Sequence, residues 1–258
     1  MEIVVLLKQV PSTESLVEIA ADGVSIKTDD IKWVMNPYDE LAVEEALKIR
    51  ESGEGQVTIL TIGPEKAVEA MRTALAMGAD KGVRIDPGDL RLDGLGTAKV
   101  LAAALKEMPY DLIIAGHRAV DDDNYQAGPA VAELLGIPNI SMVIKQDISD
   151  GKIQCHRTVE GGTVVIESPL PALITTQRGL NEPRYASLPG IMKAKKKPVD
   201  VKPIADLGLD ENALAGKTTI AALTPPPERK GGRVLDGDTA QDKVTALVNA
   251  LRDEAKAI

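Results

Sequence analysis

Aromatic residues are scarce in this chain: they make up 2% of its 258 residues, with four Tyr, one Trp and no Phe. Proteins that bind single-stranded nucleic acid usually stack bases on aromatic side chains and contact phosphates with clustered cations. Cations are also in the minority, because 39 acidic and 30 basic residues give a formal net charge of −9. We therefore expect no nucleic-acid partner. A hydrophobic content of 44% still supports a folded core, built from aliphatic side chains and Met.

Cysteine and histidine are nearly missing as well, since the chain has one cysteine, Cys155, and two histidines, His117 and His156. A single cysteine can form neither an intramolecular disulfide nor a thiolate metal cage. Two histidines are too few for most histidine-based metal sites, and no triad of nucleophile, histidine and acid is visible. We predict no catalytic and no metal-binding residue. The histidines are interpreted as structural, and Cys155 as a small buried residue of a strand.

No apolar run in the sequence is long enough to cross a membrane. The first apolar stretch, residues 3–7, stops at Lys8. This length is typical of a first strand and too short for a signal peptide. We therefore expect a cytoplasmic protein that does not insert directly into a membrane.

Short apolar runs of strand length alternate with amphipathic helix patterns over the first half of the chain. The predicted strands are 3–7, 56–62, 82–85 and 111–115, and the predicted helices are 37–47, 65–77 and 96–108. This alternation predicts parallel strands joined by right-handed crossovers. The expected fold class is therefore α/β, with a Rossmann-like parallel sheet and helices on both faces.

The pattern changes after Gly136, where strands follow one another without helices between them. Strands are predicted at 140–144, 152–159, 163–167 and 171–176. Turn residues at 160–162 indicate an antiparallel hairpin that is appended to the parallel part. The last of these strands is expected to return to the main sheet.

The chain beyond Asp200 is polar and rich in proline, and residues 224–227 predict a stiff linker. The final helix has a capping pair at Thr239 and Asp242, followed by an apolar stripe of Val244, Leu247, Val248 and Leu251. A lone helix with such a stripe needs another surface to bury it. We divide the chain into an α/β domain at 1–205 and a linker with a C-terminal helical arm at 206–258.

The first predicted helix begins with strong local signals. Asn36 is a suitable N-cap, Pro37 fits the first helical position, and Asp39 lies where a capping box places an acid. Its apolar positions form one stripe, and we expect Glu40, Glu44 and Glu45 to form a solvated face.

A polar loop bounded by glycine and proline, residues 116–129, lies between an apolar run at 112–115 and a helical pattern at 130–135. We call it the aspartate loop because Asp121, Asp122 and Asp123 lie at its centre. A loop of this kind follows the carboxyl end of a strand, and the next helix offers free N–H groups to an anion.

Four interpretations of the aspartate loop remain open from its residues alone: a metal site, an acid–base pair, a nucleotide loop and a plain solvated loop. Adjacent aspartates converge poorly on one metal ion, and an acid–base pair would need a companion His or Lys. In a nucleotide site the carboxylates would face ribose, backbone N–H groups or solvent. The phosphate would then be bound by Asn124, Gln126, Ala127 and Gly128.

An apolar patch of Leu188, Ile191 and Met192 immediately precedes four lysines, and prolines on both sides favour an extended or short helical segment. Charge runs are often only solvated. Alternatively, the patch and the lysines form a docking surface for an acidic partner with a hydrophobic pocket.

Several motifs resemble those of electron transfer flavoprotein β subunits, and the resemblance extends over nearly the whole chain. The matching stretches are Asn36-Pro37-Tyr38-Asp39-Glu40, residues 42–46, residues 72–80, Asp121 to Asp123 with Gln126, and residues 180–197. The resemblance implies a heterodimer with an α subunit that holds most of the redox-active FAD, while this chain binds AMP without chemistry. It also implies electron transfer from acyl-CoA and related dehydrogenases to a membrane quinone oxidoreductase.

The resemblance also assigns two sets of site residues. The implied AMP site comprises Leu6, Asn36, Pro37, Tyr38, Asp39, Ile62, Gly116, His117, Arg118, Ala119, Val120, Asp121, Asp122, Asp123, Asn124, Tyr125, Gln126 and Ala127. The implied partner-recognition segment, residues 182–198, is called the recognition loop below. Its contact residues would be Leu188, Pro189, Ile191, Met192, Lys193 and Lys196, and the two lysines lie where some relatives carry methylated lysines. The C-terminal arm would pack on the α subunit.

A second class of β subunit binds FAD in place of AMP and bifurcates electrons from NADH. The bulky residues Asp122, Asn124 and Tyr125 favour the AMP-binding class, although Ala127-Gly128-Pro129 is closer to the bifurcating class. A stand-alone nucleotide-binding module of similar fold is a third hypothesis.

Overall fold

The computed structural model describes residues 1–227 and 231–258. Its strands are β1 (Glu2–Leu6), β2 (Gln9–Pro11), β3 (Trp33–Met35), β4 (Gln56–Ile62), β5 (Lys81–Asp86), β6 (Leu112–Gly116), β7 (Asn139–Ser149), β8 (Lys152–Val159), β9 (Gly162–Pro169), β10 (Ala172–Thr176) and β11 (Val199–Pro203). Its α-helices are α1 (Pro37–Glu51), α2 (Val68–Met77), α3 (Gly94–Lys106), α4 (Ala127–Leu135), α5 (Leu188–Ala194), α6 (Glu211–Leu214) and α7 (Ala240–Asn249).

The main sheet has nine strands in the order β11-β5-β4-β1-β6-β10-β7-β8-β9. In this order, each pair of neighbours from β11 to β7 is parallel. Strand β8 is antiparallel to both of its neighbours, β7 and β9. The predicted α/β class with a parallel sheet and an appended hairpin is confirmed. Strand β10 returns to the main sheet between β6 and β7, as its apolar pattern predicts.

Alternate residues of each parallel strand face opposite sides of the sheet, and both sides are covered. Ile3 and Val5 of β1 belong to a core cluster that contains the apolar stripes of α1 and α2. Val4 and Leu6 belong to a second cluster, which contains the stripes of α3 and α4. The continuous apolar run of β1 therefore follows from its burial on both faces, and helices lie on both sides as predicted.

The polar stretch that begins near Asp200 contains an edge strand that the sequence pattern does not predict. Strand β11 pairs in parallel with β5, from Val199 opposite Gly82 to Pro203 opposite Asp86. One side of an edge strand has no ladder partner, so a terminal proline is tolerated there. Three of its five residues are exposed and none is buried, which removes the apolar signal used for prediction.

The chain divides into two compact units, Met1–Ala221 and Ala222–Ile258. In the second unit, the Thr239 hydroxyl accepts the Asp242 N–H and the Asp242 carboxylate accepts the Thr239 N–H, which confirms the predicted capping box. Val244 and Leu247 on α7 are exposed. Residues 228–230 of the predicted arm lie outside the described residues. No helix among the described residues is long and apolar enough to span a membrane.

The start of α1 differs from its prediction. Pro37 is the first helical residue, as predicted, but Asn36 makes no side-chain cap hydrogen bond. Its Nδ2 instead donates to Asp39 Oδ1 (2.9 Å) and to the Arg118 carbonyl (2.9 Å). The predicted capping box is wrong because the Asp39 carboxylate points into the protein and accepts donors from other segments. Both residues bind the rest of the fold rather than the helix end.

The predicted solvated face of α1 is also wrong, because Glu44 and Glu45 are only 3% and 5% exposed. Glu44 forms an ion pair with Arg184, and Glu45 accepts hydrogen bonds from Gln146 and Asn181. Buried carboxylates require such partners. The partners lie at least 101 residues away in sequence, so no local pattern indicates them.

The four lysines that follow the apolar patch of the recognition loop are only partly exposed to solvent. Lys193, Lys195 and Lys196 are exposed. Lys197 instead turns back, and its Nζ donates to the carbonyls of Leu75 (3.0 Å), Gly78 (3.2 Å) and Ala79 (2.5 Å). The last carbonyls of a helix lack intrahelical donors and attract a cation, so Lys197 completes the carboxyl end of α2.

We predict that Lys197→Met destabilises the protein by roughly 2 kcal/mol, the usual cost when hydrogen bonds to a charged group are lost. The matched change Lys195→Met should alter the free energy of unfolding by less than about 0.5 kcal/mol, because Lys195 is exposed. Urea unfolding of both variants measures the difference. Equal effects would contradict the assigned role of Lys197.

Candidate functional site

The candidate site lies at the carboxyl ends of β1 and β6. From β1 the chain builds the sheet outward through β4 and β5 on one side, and through β6 and β10 on the other. Parallel sheets bind ligands in the crevice where such a reversal occurs. The aspartate loop leaves β6 at this crevice, and α1 begins beside it.

A single buried carboxylate joins the segments around the crevice. Asp39 Oδ2 accepts the backbone N–H of Lys8 (2.7 Å), which follows β1. Asp39 Oδ1 accepts Asn36 Nδ2 (2.9 Å) and the backbone N–H of Gly116 (3.1 Å), the last residue of β6. A Cβ atom at Gly116 would lie 2.4 Å from Asp39 Oδ1. Only glycine therefore permits this approach.

The three aspartates form ion pairs with basic side chains. Lys8 Nζ lies 2.8 Å from Asp121 Oδ1 and 2.9 Å from Asp122 Oδ2. Arg118 Nη1 lies 2.8 Å from both oxygens of Asp123. Burial lowers the pKa of Lys8, but its hydrogen bonds to Asp121 and Asp122 outweigh burial, so the pKa is raised overall.

These ion pairs bear on two interpretations of the aspartate loop, the metal site and the acid–base pair. The carboxylates are neutralised by cations, and the described residues contain no group of three His, Cys, Asp or Glu side chains that could hold a metal ion. Lys8 is the companion cation that local spacing could not reveal, since it precedes Asp121 by 113 residues. Because its pKa is raised, Lys8 stays protonated near pH 7 and pairs with these carboxylates as a fixed cation. The geometry therefore favours a loop held by ion pairs over a metal or acid–base site.

Aromatic and guanidinium groups cluster beside the loop. The rings of Tyr38 and His117 meet edge to face at 4.2 Å, and His117 lies 5.3 Å from the Tyr125 ring. The guanidinium carbons of Arg118 and Arg178 lie 5.0 and 5.7 Å from the Tyr38 ring. Arg178 was not predicted as a site residue, because it follows β10 in a stretch with no local motif.

His117 has a structural role in this cluster. Its Nδ1 lies 3.0 Å from the Thr176 carbonyl, so the proton is placed on Nδ1. Burial lowers the pKa of His117, with a smaller lowering from Arg118, and the ring is neutral near pH 7. This geometry agrees with the interpretation of His117 from the sequence.

Helix α4 begins at Ala127, earlier than the pattern predicts, and no side chain caps its first turn among the described residues. The turn also contains no acidic residue. A Cβ atom at Gly128 would lie 2.8 Å from Thr175 Cγ2, so glycine allows α4 to pack closely on β10. The free N–H groups of Ala127 and Gly128 can therefore bind an anion at the crevice.

The structure brings together two of the predicted site segments, residues 36–39 and 116–127. Tyr38 and Asp39 contact the aspartate loop through Arg118 and Gly116. Asn36 Oδ1 accepts the backbone N–H of Val120 (3.2 Å), and Asn124 N donates to Asp122 Oδ1 (3.2 Å) within the loop. Leu6 is buried and Ile62 is half-buried, at the ends of β1 and β4.

The recognition loop forms a second candidate surface, away from the crevice. Leu188 is 79% exposed, and Ile191 and Met192 on the same short helix α5 are also exposed. The Ser187 side chain caps α5 by accepting the Gly190 N–H at 3.1 Å. Tyr185 is 99% exposed, although it is not among the contact residues that the family resemblance implies.

The pKa of Asp39 is raised to about 7 by its burial, although three N–H donors and Lys8 act to lower it. An aspartate in an unfolded chain has a pKa of about 3.9, so between these values the folded protein binds more protons. The contribution of Asp39 to the free energy of unfolding should therefore decrease as pH rises from 5 to 7, by up to about 1.4 kcal/mol per pH unit.

The measurement compares urea unfolding of the wild-type protein and Asp39→Asn between pH 5 and pH 8. The variant lacks the Asp39 contribution, so the difference in stability between the two proteins should change with pH and level off above pH 7. A constant difference over this range would contradict the raised pKa.

Two kinds of comparison place this chain among known proteins. The family model described as "Electron transfer flavoprotein domain" matches residues 24–207. Electron transfer flavoprotein subunit β of Bacillus subtilis is 42% identical, with all of both chains covered. The subunit of Bradyrhizobium diazoefficiens is 39% identical over 99% of each chain, and that of Mus musculus is 36% identical over 94% and 95%.

These matches confirm the resemblance found in the sequence motifs. They extend over the α/β unit and over the C-terminal arm, since the most similar relatives align along the full chain. The chain therefore belongs to the electron transfer flavoprotein β-subunit family.

Proposed function

We propose that this chain forms a heterodimer with an electron transfer flavoprotein α subunit and binds one AMP in the crevice at β1 and β6. The dimer takes electrons from acyl-CoA or related dehydrogenases and passes them to a membrane quinone oxidoreductase. FAD supplies the electron chemistry and is held mainly by the α subunit. The arm at 206–258 packs on that subunit, and the dimer works in the cytoplasm.

The chemistry of the crevice supports a binding role without catalysis. The three aspartates of its loop are ion-paired with Lys8 and Arg118, Asp39 is buried and accepts three N–H groups, and the histidine Nδ1 lies within hydrogen-bond distance of the Thr176 carbonyl. The Cys155 thiol is buried, and burial raises its pKa to about 12, so it is not a thiolate near pH 7. An ion-paired carboxylate binds and orients a ligand, and a protonated thiol is a poor nucleophile, which supports a binding role for this crevice.

The observation that carries the AMP proposal is the uncapped start of α4 beside the ion-paired aspartate loop. The N–H groups of Ala127 and Gly128 and the helix dipole favour a phosphate. Lys8 pairs with Asp121 and Asp122 and offsets their negative charge, which reduces their repulsion of that phosphate. Tyr38 and the polar backbone around Asn36 lie at the same crevice and suit a nucleoside.

A mononucleotide suits this loop better than a dinucleotide. Asp123 and Tyr125 adopt left-handed backbone conformations, with φ of 49° and 57°, which bulky residues rarely do. The Arg118 guanidinium bonds Asp123 and lies 5.9 Å from the Tyr125 ring, so the loop folds over itself. The isoalloxazine ring of a second FAD would fit at this loop only if the loop opened. We therefore favour AMP over the second FAD of bifurcating relatives.

Cofactor analysis of the heterodimer tests this proposal. We expect about one FAD and one AMP per dimer after co-expression, purification and release by denaturation. Two flavins and no AMP would instead indicate the bifurcating class, which the stretch Ala127-Gly128-Pro129 makes the second candidate. NADH oxidation that requires a low-potential acceptor would then be observed. A stable monomer without the α subunit would favour a stand-alone module.

The recognition loop is proposed to dock the dehydrogenases. Leu188 is the most exposed apolar residue of α5, and Lys193 and Lys196 lie in exposed positions near it. An apolar side chain can fill a hydrophobic pocket, while cations attract an acidic rim and speed association. Pro189, Ile191 and Met192 complete the surface.

We predict that Leu188→Ala raises the KM for the dimer roughly 10- to 30-fold in an acyl-CoA dehydrogenase assay, the size of effect expected of an interface hot spot. The FAD content should not change. Val201→Ala, on the exposed side of β11, is the control for loss of a surface apolar group. Equal KM values for Leu188→Ala and the control would remove Leu188 from the docking surface.

A further inference from the structure

The exposed part of the recognition loop lies between two fixed points. On its C-terminal side, Arg72 Nη1 of α2 donates to the carbonyls of Ala194 (2.5 Å) and Lys197 (2.7 Å). Lys197 binds the end of the same helix, as described above. The C-terminal side of the loop is thus attached to α2 by two basic side chains.

The N-terminal side is attached to α1 through Arg184. Its Nε and Nη2 lie 2.8 and 3.0 Å from the two oxygens of Glu44, and its backbone N–H donates to Glu44 Oε2 at 3.1 Å. Its Nη1 and Nη2 also donate to the two oxygens of Glu51, at 2.6 and 3.0 Å. One guanidinium therefore binds two carboxylates of α1, each through both of its oxygens, in a geometry that a lysine cannot reproduce.

Asn181 supports the same segment from inside the protein. Its Nδ2 donates to the Leu41 carbonyl (3.0 Å) and to Glu45 Oε2 (2.8 Å), and the residue is buried. The backbone between Asn181 and Arg184 therefore follows α1. Beyond Arg184 the exposure rises, since Tyr185 is 99% exposed and Leu188 79%, while Ala186 between them packs partly against the core.

The position of Arg184 has a consequence for binding. A flexible loop loses conformational freedom when it docks, and this loss weakens affinity. A loop whose ends are already fixed loses less, so preorganisation strengthens binding without any new contact. The Arg184 side chain is 34% exposed, and it is the ion-paired residue that comes just before the exposed residues of the docking surface.

We propose that Arg184 is a positioning residue for dehydrogenase docking: by binding Glu44 and Glu51 it fixes the recognition loop on α1 and presents Leu188 in its binding geometry. This inference rests on the proposed docking role of the loop. Arg184 itself need not touch the dehydrogenase. Its effect passes through Leu188, and it concerns association rather than the electron-transfer step.

The test uses the purified heterodimer with FAD bound, and the acyl-CoA dehydrogenase that gives the wild-type dimer its lowest KM. The variants are Arg184→Gln, Arg184→Lys and Glu51→Gln. Lys202→Gln is the matched control, because it breaks the exposed Lys202–Glu107 ion pair (2.7 Å) outside the loop. Glu51→Gln keeps the buried Glu44 paired, so it tests the proposal even if Arg184→Gln fails to fold.

We expect Arg184→Gln to raise the KM for the dimer about tenfold, with kcat within about twofold and FAD content unchanged. Arg184→Lys and Glu51→Gln should raise KM by smaller factors, and Lys202→Gln should leave it unchanged. A fall in kcat or FAD content at unchanged KM would show a general structural role and overturn the proposal.

A double-mutant cycle with Leu188→Ala separates positioning from direct contact. If Arg184 acts through Leu188, adding Arg184→Gln to Leu188→Ala should raise KM by less than about twofold more. Multiplying effects would mean that Arg184 contributes independently, and the proposal would be wrong.

Hydrogen exchange of residues 185–193 tests the attachment without any dehydrogenase. Exchange should be faster in Arg184→Gln and Glu51→Gln than in the wild-type dimer, and unchanged in Lys202→Gln. Equal exchange rates would overturn the positioning role. If exchange responds but no dehydrogenase reduces the wild-type dimer, the proposed docking function fails instead.

Discussion

The buried carboxylate of Asp39 is the interaction on which the candidate site depends. It accepts the backbone N–H of Lys8, two residues beyond β1, the side-chain amide of Asn36 before α1, and the backbone N–H of Gly116 at the end of β6. Backbone donors near a ligand crevice must be satisfied, and one carboxylate satisfies donors from separate segments here. The close approach requires glycine at position 116. The aspartate loop therefore begins at a fixed point, and its ion pairs fold the remainder.

Helix α1 connects this site to the recognition loop through its acidic residues. Tyr38 and Asp39 belong to the first turn, beside the crevice, whereas Glu44, Glu45 and Glu51 hold the segment that leads to Leu188. Glu44 and Glu51 are neutralised by Arg184, which is distant in sequence, and Glu45 accepts hydrogen bonds from the amides of Gln146 and Asn181. The same helix thus supports the proposed nucleotide site at one end and the proposed docking surface along its side.

The sequence predicts those features that depend on neighbouring residues. Strand and helix periodicity identified most elements of the sheet, and the Thr239–Asp242 capping box formed as predicted because both partners lie in one turn. The errors concern groups with distant partners. Glu44 lies 140 residues from Arg184, and Lys197 lies 122 residues from Leu75. The residues next to Glu44 and Lys197 in sequence give no sign of these partners and indicate exposed side chains instead. Edge strand β11 is not predicted because none of its five residues is buried, so its sequence has no apolar signal.

A crystal structure of the heterodimer is the most direct measurement of the central claim, that the crevice at β1 and β6 holds AMP in a β subunit without redox chemistry of its own. The account predicts density for a single mononucleotide there, with its phosphate at the N–H groups of Ala127 and Gly128. Lys8 should remain paired with Asp121 and Asp122. An isoalloxazine ring in this crevice, or a crevice without nucleotide, would contradict the account.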